Sequence, residues 1–127
     1  MKYKLVERKN PLKKEAKGKL YASPVNDGKI SQKEISADIV ALSSLSRGDV
    51  GNVIDCLLDT VPKYLLMGKS VKLGDLGTLR ISFSSEGVEK ANEFNIGKIK
   101  GVRVVFTPSP TLRNSIKDIK FEKEAEK

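Results

Sequence analysis

Histidine and tryptophan are absent from this 127-residue chain, and cysteine occurs once, at Cys56. A Cys₂His₂ zinc site, a Ser-His-Asp triad and a Cys-His dyad all need residues that are missing here. A single cysteine cannot close an intrachain disulfide, which fits a reducing cytosol. No apolar run is long enough to cross a bilayer, and the N-terminus has no signal-peptide stretch, so no membrane partner is expected. No nucleophile–base pair is visible either. Asp55 with Asp59, and Glu86 with Glu89, are carboxylate pairs without catalytic partners and read as surface charge. The chain is therefore expected to be no enzyme, to use no cofactor or metal, and to take no small-molecule substrate.

Positive charge is what the chain has. Twenty-four Lys and Arg stand against 16 Asp and Glu, a net charge of +8. The excess is segregated. Residues 1–20 carry eight basic and two acidic side chains, and residues 69–117 carry nine and four. Residues 21–68 carry four and six, and residues 118–127 three and four. Two basic segments flanking a weakly acidic one favour a polyanionic partner over simple solubility. The apolar fraction of 39% supports one core of modest size, so burial through oligomerisation would help a chain this short.

The apolar pattern divides the chain. Residues 1–8 alternate, with Tyr3 and Leu5 against Lys2 and Lys4, and Lys19–Val25 is a second short strand. Asn26-Asp27-Gly28 is a turn. Ser31 and Glu34 have the spacing of a capping box, and Ile35, Ile39, Leu42 and Leu45 follow at helical intervals. Ser46 and Asp49 offer a second helix start. Val50, Val53, Ile54, Leu57, Leu58 and Val61 then make a wide apolar stripe. Pro62 should kink this helix or disturb one turn, and Gly68 should stop it. Cys56 borders the stripe and reads as a buried or dimer-interface thiol. Val71 and Leu73, then Leu79, Ile81 and Phe83, alternate around a Gly74-Asp75-Leu76-Gly77 turn, predicting a hairpin. Leu76 reads first as a core plug. Val102, Val104 and Phe106 lie on one face of a further strand, opposite Arg103 and Val105. Ser109-Pro110 opens a last helix with Leu112, Ile116 and Ile119 on its apolar side. Phe121–Lys127 reads as a frayed, charged tail.

Three stretches resemble the bacterial histone-like HU and integration host factor family. Met67-Gly68-Lys69-Ser70-Val71-Lys72-Leu73 looks like the end of the second helix and the first strand. Gly74-Asp75-Leu76-Gly77-Thr78-Leu79 is similar to a Gly-Phe-Gly-x-Phe turn, with Asp75 for the first Gly and Leu for both Phe. Val105-Phe106-Thr107-Pro108-Ser109-Pro110-Thr111-Leu112-Arg113 looks like a Phe-x-Pro-Gly-x-x-Leu-x signature. The resemblance covers 31–120, and the whole chain resembles longer members with an N-terminal extension. It implies an α+β fold: a helical hairpin, a three-stranded antiparallel sheet with an extended hairpin arm, and a short C-terminal helix. The organisation expected is a strand-pair extension over 1–30, the HU-like domain over 31–120 and a tail over 121–127.

The resemblance further implies a homodimer that binds double-stranded DNA with little sequence preference and bends or organises it in the cytoplasmic nucleoid. Lys72, Arg80 and Arg103 are the candidate phosphate contacts on the sheet, the alternative being a solvated face. Lys98 and Lys100 are candidates on the arm, and Arg113 and Lys117, one helical turn apart, are candidates to clamp a phosphate. Lys2, Lys4, Lys13, Lys14, Lys17 and Lys19 form a further basic cluster, solvated surface or auxiliary DNA contact. The arm departs from the family pattern. Residues 84–100 hold Glu86, Glu89 and Glu93 beside Lys90, Lys98 and Lys100, with no Arg and no Pro, so a proline wedge is not implied. Thr107 and Pro110 stand where the family often places Lys. The competing reading is a structural or protein-interaction module of the same fold with weak or no DNA binding.

Overall fold

Alternation at Lys2–Arg8 and Lys19–Pro24 suits two extended strands, because successive side chains of a strand point to opposite faces. The computed structural model describes residues 1–12 and 18–125 and pairs these two stretches as β1 (Lys2–Arg8) and β2 (Lys19–Pro24). Lys13, Lys14 and Lys17 lie outside the described residues. The order continues α1 (Gln32–Leu42), α2 (Arg47–Leu66), β3 (Val71–Lys72), β4 (Gly77–Ser85), β5 (Ile99–Pro108), α3 (Pro110–Ser115) and β6 (Glu122–Lys123). Among the described residues the fold is mixed α+β, with three α-helices and two three-stranded sheets. It divides into two compact units, Met1–Gln32 with Asp118–Lys127, and Lys33–Lys117.

In the first unit the strand order is β2-β1-β6. β1 and β2 are antiparallel, with Leu5 opposite Ala22 and Arg8 opposite Lys19. The turn after β2 closes as an Asx-turn, the Gly28 amide donating to Asn26 Oδ1 at 2.8 Å. The stretch read as a frayed tail supplies β6, parallel to β1 with Lys2 opposite Glu122. Backbone bonds hold it there, from Glu122 N to Met1 O at 3.0 Å and from Glu124 N to Tyr3 O at 2.8 Å.

The second unit is built around capped helices. Ser46 accepts from the Asp49 amide at 3.1 Å, and Asp49 Oδ2 accepts in return from the Ser46 amide at 3.1 Å. This reciprocal box satisfies two otherwise orphaned donors at the start of α2. Hydrogen bonds from the Ser46 side chain and backbone hold the Asp49 carboxyl below its ordinary value. α2 runs unbroken through Pro62. Its end is a Schellman motif: Gly68, at φ 75°, donates to Leu65 O, and Lys69 donates to Tyr64 O. The sheet order is β3-β4-β5, antiparallel throughout. In the turn between β3 and β4, Leu73 N donates to Gly77 O at 2.8 Å. Gly77 is required by close approach. A Cβ there would strike the Thr107 carbonyl and the Phe106 ring.

One chain covers little of its own apolar surface. Among the described residues the only buried large apolar side chains are Val50 and Leu65. Ile35, Ile39, Leu42, Val53, Leu57, Leu58 and Leu66, predicted as helix core faces or their continuation, are all exposed. Leu76, read as a core plug, is 51% exposed, and Cys56, read as buried or interfacial, is exposed too. The chain presents 11203 Å² to solvent. A folded monomer of its mass presents about 6,700 Å², and two separate units of these sizes about 8,000 Å² together. Roughly 3,000 Å² of surface is thus in excess of what two self-contained units would leave.

Candidate nucleic-acid interface

Residues directly opposite each other in an antiparallel pair share a face. Lys72 stands opposite Thr78, Thr78 opposite Thr107, Arg80 opposite Val105 and Ser82 opposite Arg103. These side chains therefore occupy one polar, cationic face of the β3-β4-β5 sheet. The reverse face carries Val71, Leu79, Ile81, Val104 and Phe106, paired in the same register. The alternation read from the sequence for Val104, Phe106, Arg103 and Val105 has this register as its basis.

Lys100 would fall on the wrong face if alternation continued unbroken from Arg103. It does not, because β5 carries one extra residue between Lys100 and Arg103. Ser82 opposes Arg103, yet Ser84 opposes Lys100. Gly101 absorbs the insertion at φ 63°, a left-handed conformation that glycine adopts without penalty. The bulge returns Lys100 to the face that holds Arg103 and Arg80. Arg103 spans it, with Nη1 donating to Ser84 Oγ and to Gly101 O, each at 3.3 Å.

The arm beyond this point is not a continuous pair of strands. β4 ends at Ser85, and two short 3₁₀ turns, Ala91–Glu93 and Ile96–Lys98, precede β5. Lys98 closes the second turn, and its Nζ lies 3.9 Å from Glu86 Oε2. Lys100 Nζ donates to the other carboxylate oxygen of Glu86. The two arm candidates are thus gathered on Glu86, which the sequence suggests only as surface charge and as a departure from the arm pattern. The signal was out of reach, since it depends on which residues face each other across the hairpin. Phe94 and Ile96 are exposed in the same segment.

Arg113 and Lys117 do not share a helix as expected. α3 has six residues and ends at Ser115, with Arg113 in its last turn. Lys117 lies beyond the helix, its amide donating to Asn114 O at 3.3 Å, so a helical i to i+4 relation does not join the two side chains. The start of α3 is well anchored. Ser109 Oγ accepts from the Leu112 amide at 3.0 Å and donates to Asp75 O, tying the helix to the glycine turn. Lys72, Thr78, Thr107 and Ser109 line a depression of about 320 Å³ beside that turn. Among the described residues there is no group of three or more His, Cys, Asp or Glu that could hold a metal ion. Nor is any helix among them long and apolar enough to cross a membrane.

No curated protein sequence matches the chain. Its fold is similar to a crystal structure from Bacteroides vulgatus ATCC 8482, provisionally named a bacterial DNA-binding protein, with a TM-score of 0.63. The identity is 22%, over 99% of this chain and 49% of that one, so the chain spans about half the length of the structure it resembles. A family model described as an HU domain fused to a wHTH, Ig or glycine-rich motif matches residues 1–123. With nearly its whole length inside that match, the chain belongs to this HU-domain family.

Proposed function

We propose that the chain binds double-stranded DNA through the cationic face of the β3-β4-β5 sheet, without strict sequence preference, as a homodimer that organises or bends nucleoid DNA. The observation that carries this reading is the register. It places Lys72, Arg80, Arg103 and, through the Gly101 bulge, Lys100 on one face, together with Thr78, Ser82, Ser84 and Thr107. Cations interleaved with short hydroxyl side chains suit phosphate contacts, which position a duplex without reading its sequence. Family membership and the fold likeness point the same way. Binding would release condensed counterions, so affinity falls steeply as salt rises.

The homodimer rests on the uncovered apolar surface. Roughly 3,000 Å² of excess exposure per chain, about 6,000 Å² over two copies, is at the upper end of what obligate dimers bury. A second copy supplies a matching set of apolar helix and sheet faces. Interlocked in the HU manner, two chains would join their cationic sheets into one saddle. Light scattering tests this directly, the expected mass being twice 14.0 kDa at micromolar concentration.

The decisive experiment is a gel shift with random-sequence duplex over a salt series. A shift at low salt that fades as salt rises is expected. Its absence at the lowest salt would reject DNA binding. One observation favours the second reading, a protein-interaction module of the same fold: Glu86 engages both Lys98 and Lys100. That reading predicts a stable dimer with no shift.

A further inference from the structure

We propose that the β2-β1-β6 sheet carries a second duplex-DNA contact surface, formed by Lys4, Arg8 and Lys19 on one of its faces. This rests on the DNA-binding reading above and extends it to the other unit. The register separates two faces. Tyr3, Leu5, Ala22, Leu20 and Pro24 share one of them with Glu7. Lys2, Lys4, Val6, Arg8, Lys19, Tyr21 and Ser23 share the other, and Glu122 of β6 joins it opposite Lys2.

The cationic face is not arranged as a merely solvated surface would be. Arg8 stands directly opposite Lys19, and like charges directly opposite in a sheet destabilise it. Among the described residues no carboxylate lies within ion-pair distance of Lys4, Arg8 or Lys19. The acidic groups of this face gather at its Lys2 end, where Asp27 reaches Lys2 at 4.0 Å and Glu122 stands opposite it; Arg8 and Lys19 lie at the other end. Glu7, although next to Arg8 in sequence, is on the apolar side. A bound polyanion would relieve the repulsion that the protein leaves in place. Tyr21 adds to the arrangement, since the Arg8 guanidinium lies 5.9 Å from its ring centroid and is held along the face. Lys4 and Arg8 are four residues apart on one strand, about 13 Å, which matches about four successive phosphates at 3.4 Å of axial rise each.

The test compares two charge-matched triple variants of the full chain. One is Lys4→Gln, Arg8→Gln, Lys19→Gln. The control is Lys29→Gln, Lys120→Gln, Lys123→Gln, in the same unit but off the face, with Lys123 paired opposite Tyr3. Affinity for a random duplex is measured from about 50 to about 200 mM salt, and each phosphate contact contributes about 0.9 to the slope of log affinity against log salt. The face variant should have a slope shallower by about 2.7, with the control unchanged. Lys4→Gln alone, exposed and opposite Ser23, should lower the slope by about 0.9 and covers the case of a triple variant that does not fold. A face variant that titrates like the parent overturns the second surface and leaves the DNA-binding reading standing. Equal losses in face and control variants also overturn it, because bulk charge then suffices. An effect seen with single-stranded RNA but not with duplex assigns the face to a different partner and rejects the proposal. A parent that binds no duplex at any salt rejects both readings at once.

Discussion

Each unit contains a three-stranded sheet with its cations gathered mainly on one face and its apolar side chains mainly on the other, but the two sheets reach that state differently. In β3-β4-β5 the neighbours follow one another along the chain, and a glycine bulge keeps Lys100 and Arg103 on a common face. In β2-β1-β6 the third strand comes from the far end of the sequence, and β1 and β2 alternate without a bulge. Their cations differ as well. Lys98 and Lys100 are held by Glu86, whereas Lys4, Arg8 and Lys19 have no carboxylate partner among the described residues. The number of cations in a segment therefore says less about binding than their facing partners do.

The largest effect should come from a glycine that one sheet cannot replace and the other can. Gly77→Ala puts a methyl group into the Thr107 carbonyl and the Phe106 ring, where backbone has to shift. We expect a loss of about 3 kcal/mol in denaturant unfolding. Gly18→Ala is the counterpart in the first unit. Its new methyl meets the Glu7 side chain at 2.6 Å and the Lys9 side chain at 3.0 Å, and exposed side chains can swing away. A loss under about 1 kcal/mol is expected. Equal losses would mean that the two sheets are not packed as differently as their contacts indicate.

Next in size is the proposed DNA-binding face. Lys72→Glu with Arg103→Glu removes two of the proposed phosphate contacts from β3-β4-β5. Affinity for a random duplex should fall about 30-fold near physiological salt, and the salt slope should become shallower by about 1.8. Unchanged binding would discredit this face and leave the other sheet as the principal site.

How much of this was legible depends on the range over which each feature is encoded. Ser46 with Asp49, Gly68, and Ser109 with Pro110 announce helix ends within four residues, and the backbone uses them so. Alternation over 1–8, 19–25 and 102–106 marks strands for the same local reason. The β6 pairing is invisible because two residues of a charged tail meet β1 some 120 positions away. The bulge is equally hidden, since Gly101 reads only as the start of a strand until β4 is set beside it. The apolar stripe of α2 was visible, but its location was not. A helical period signals burial against something, and it does not say whether that something is the same chain.

A smaller effect tests the helix side of the second unit. Ser46→Ala removes the cap of α2 and should cost about 1 kcal/mol, read as a lower unfolding midpoint. The Asp49 carboxyl is held below its ordinary value in the folded chain. Its contribution is therefore complete above the unfolded carboxylate value and is lost as pH falls through the lower folded one. Helical signal should weaken in that acid range, and Asp49→Asn should flatten the dependence. A first-unit β-sheet signal that fell in step with it would argue that the two units unfold together.

The smallest effect bears most directly on the difference in charge partners. Glu86→Gln removes the carboxylate that collects Lys98 and Lys100 while keeping the side chain's shape. Both lysines are then free for phosphate. Exposed ion pairs of this kind are worth about 0–1 kcal/mol, so duplex affinity should rise by no more than about fivefold. The salt slope should steepen by about 0.9, one phosphate contact, in keeping with that rise. The arm would then behave like the unpartnered face of the first unit, and the acidic residue would be a brake on a competent contact. If affinity and slope stay where they are, Lys98 and Lys100 do not approach the duplex at all. The DNA-binding face would then end at Arg103, and the arm, with its exposed Phe94 and Ile96, would be left for contacts with protein.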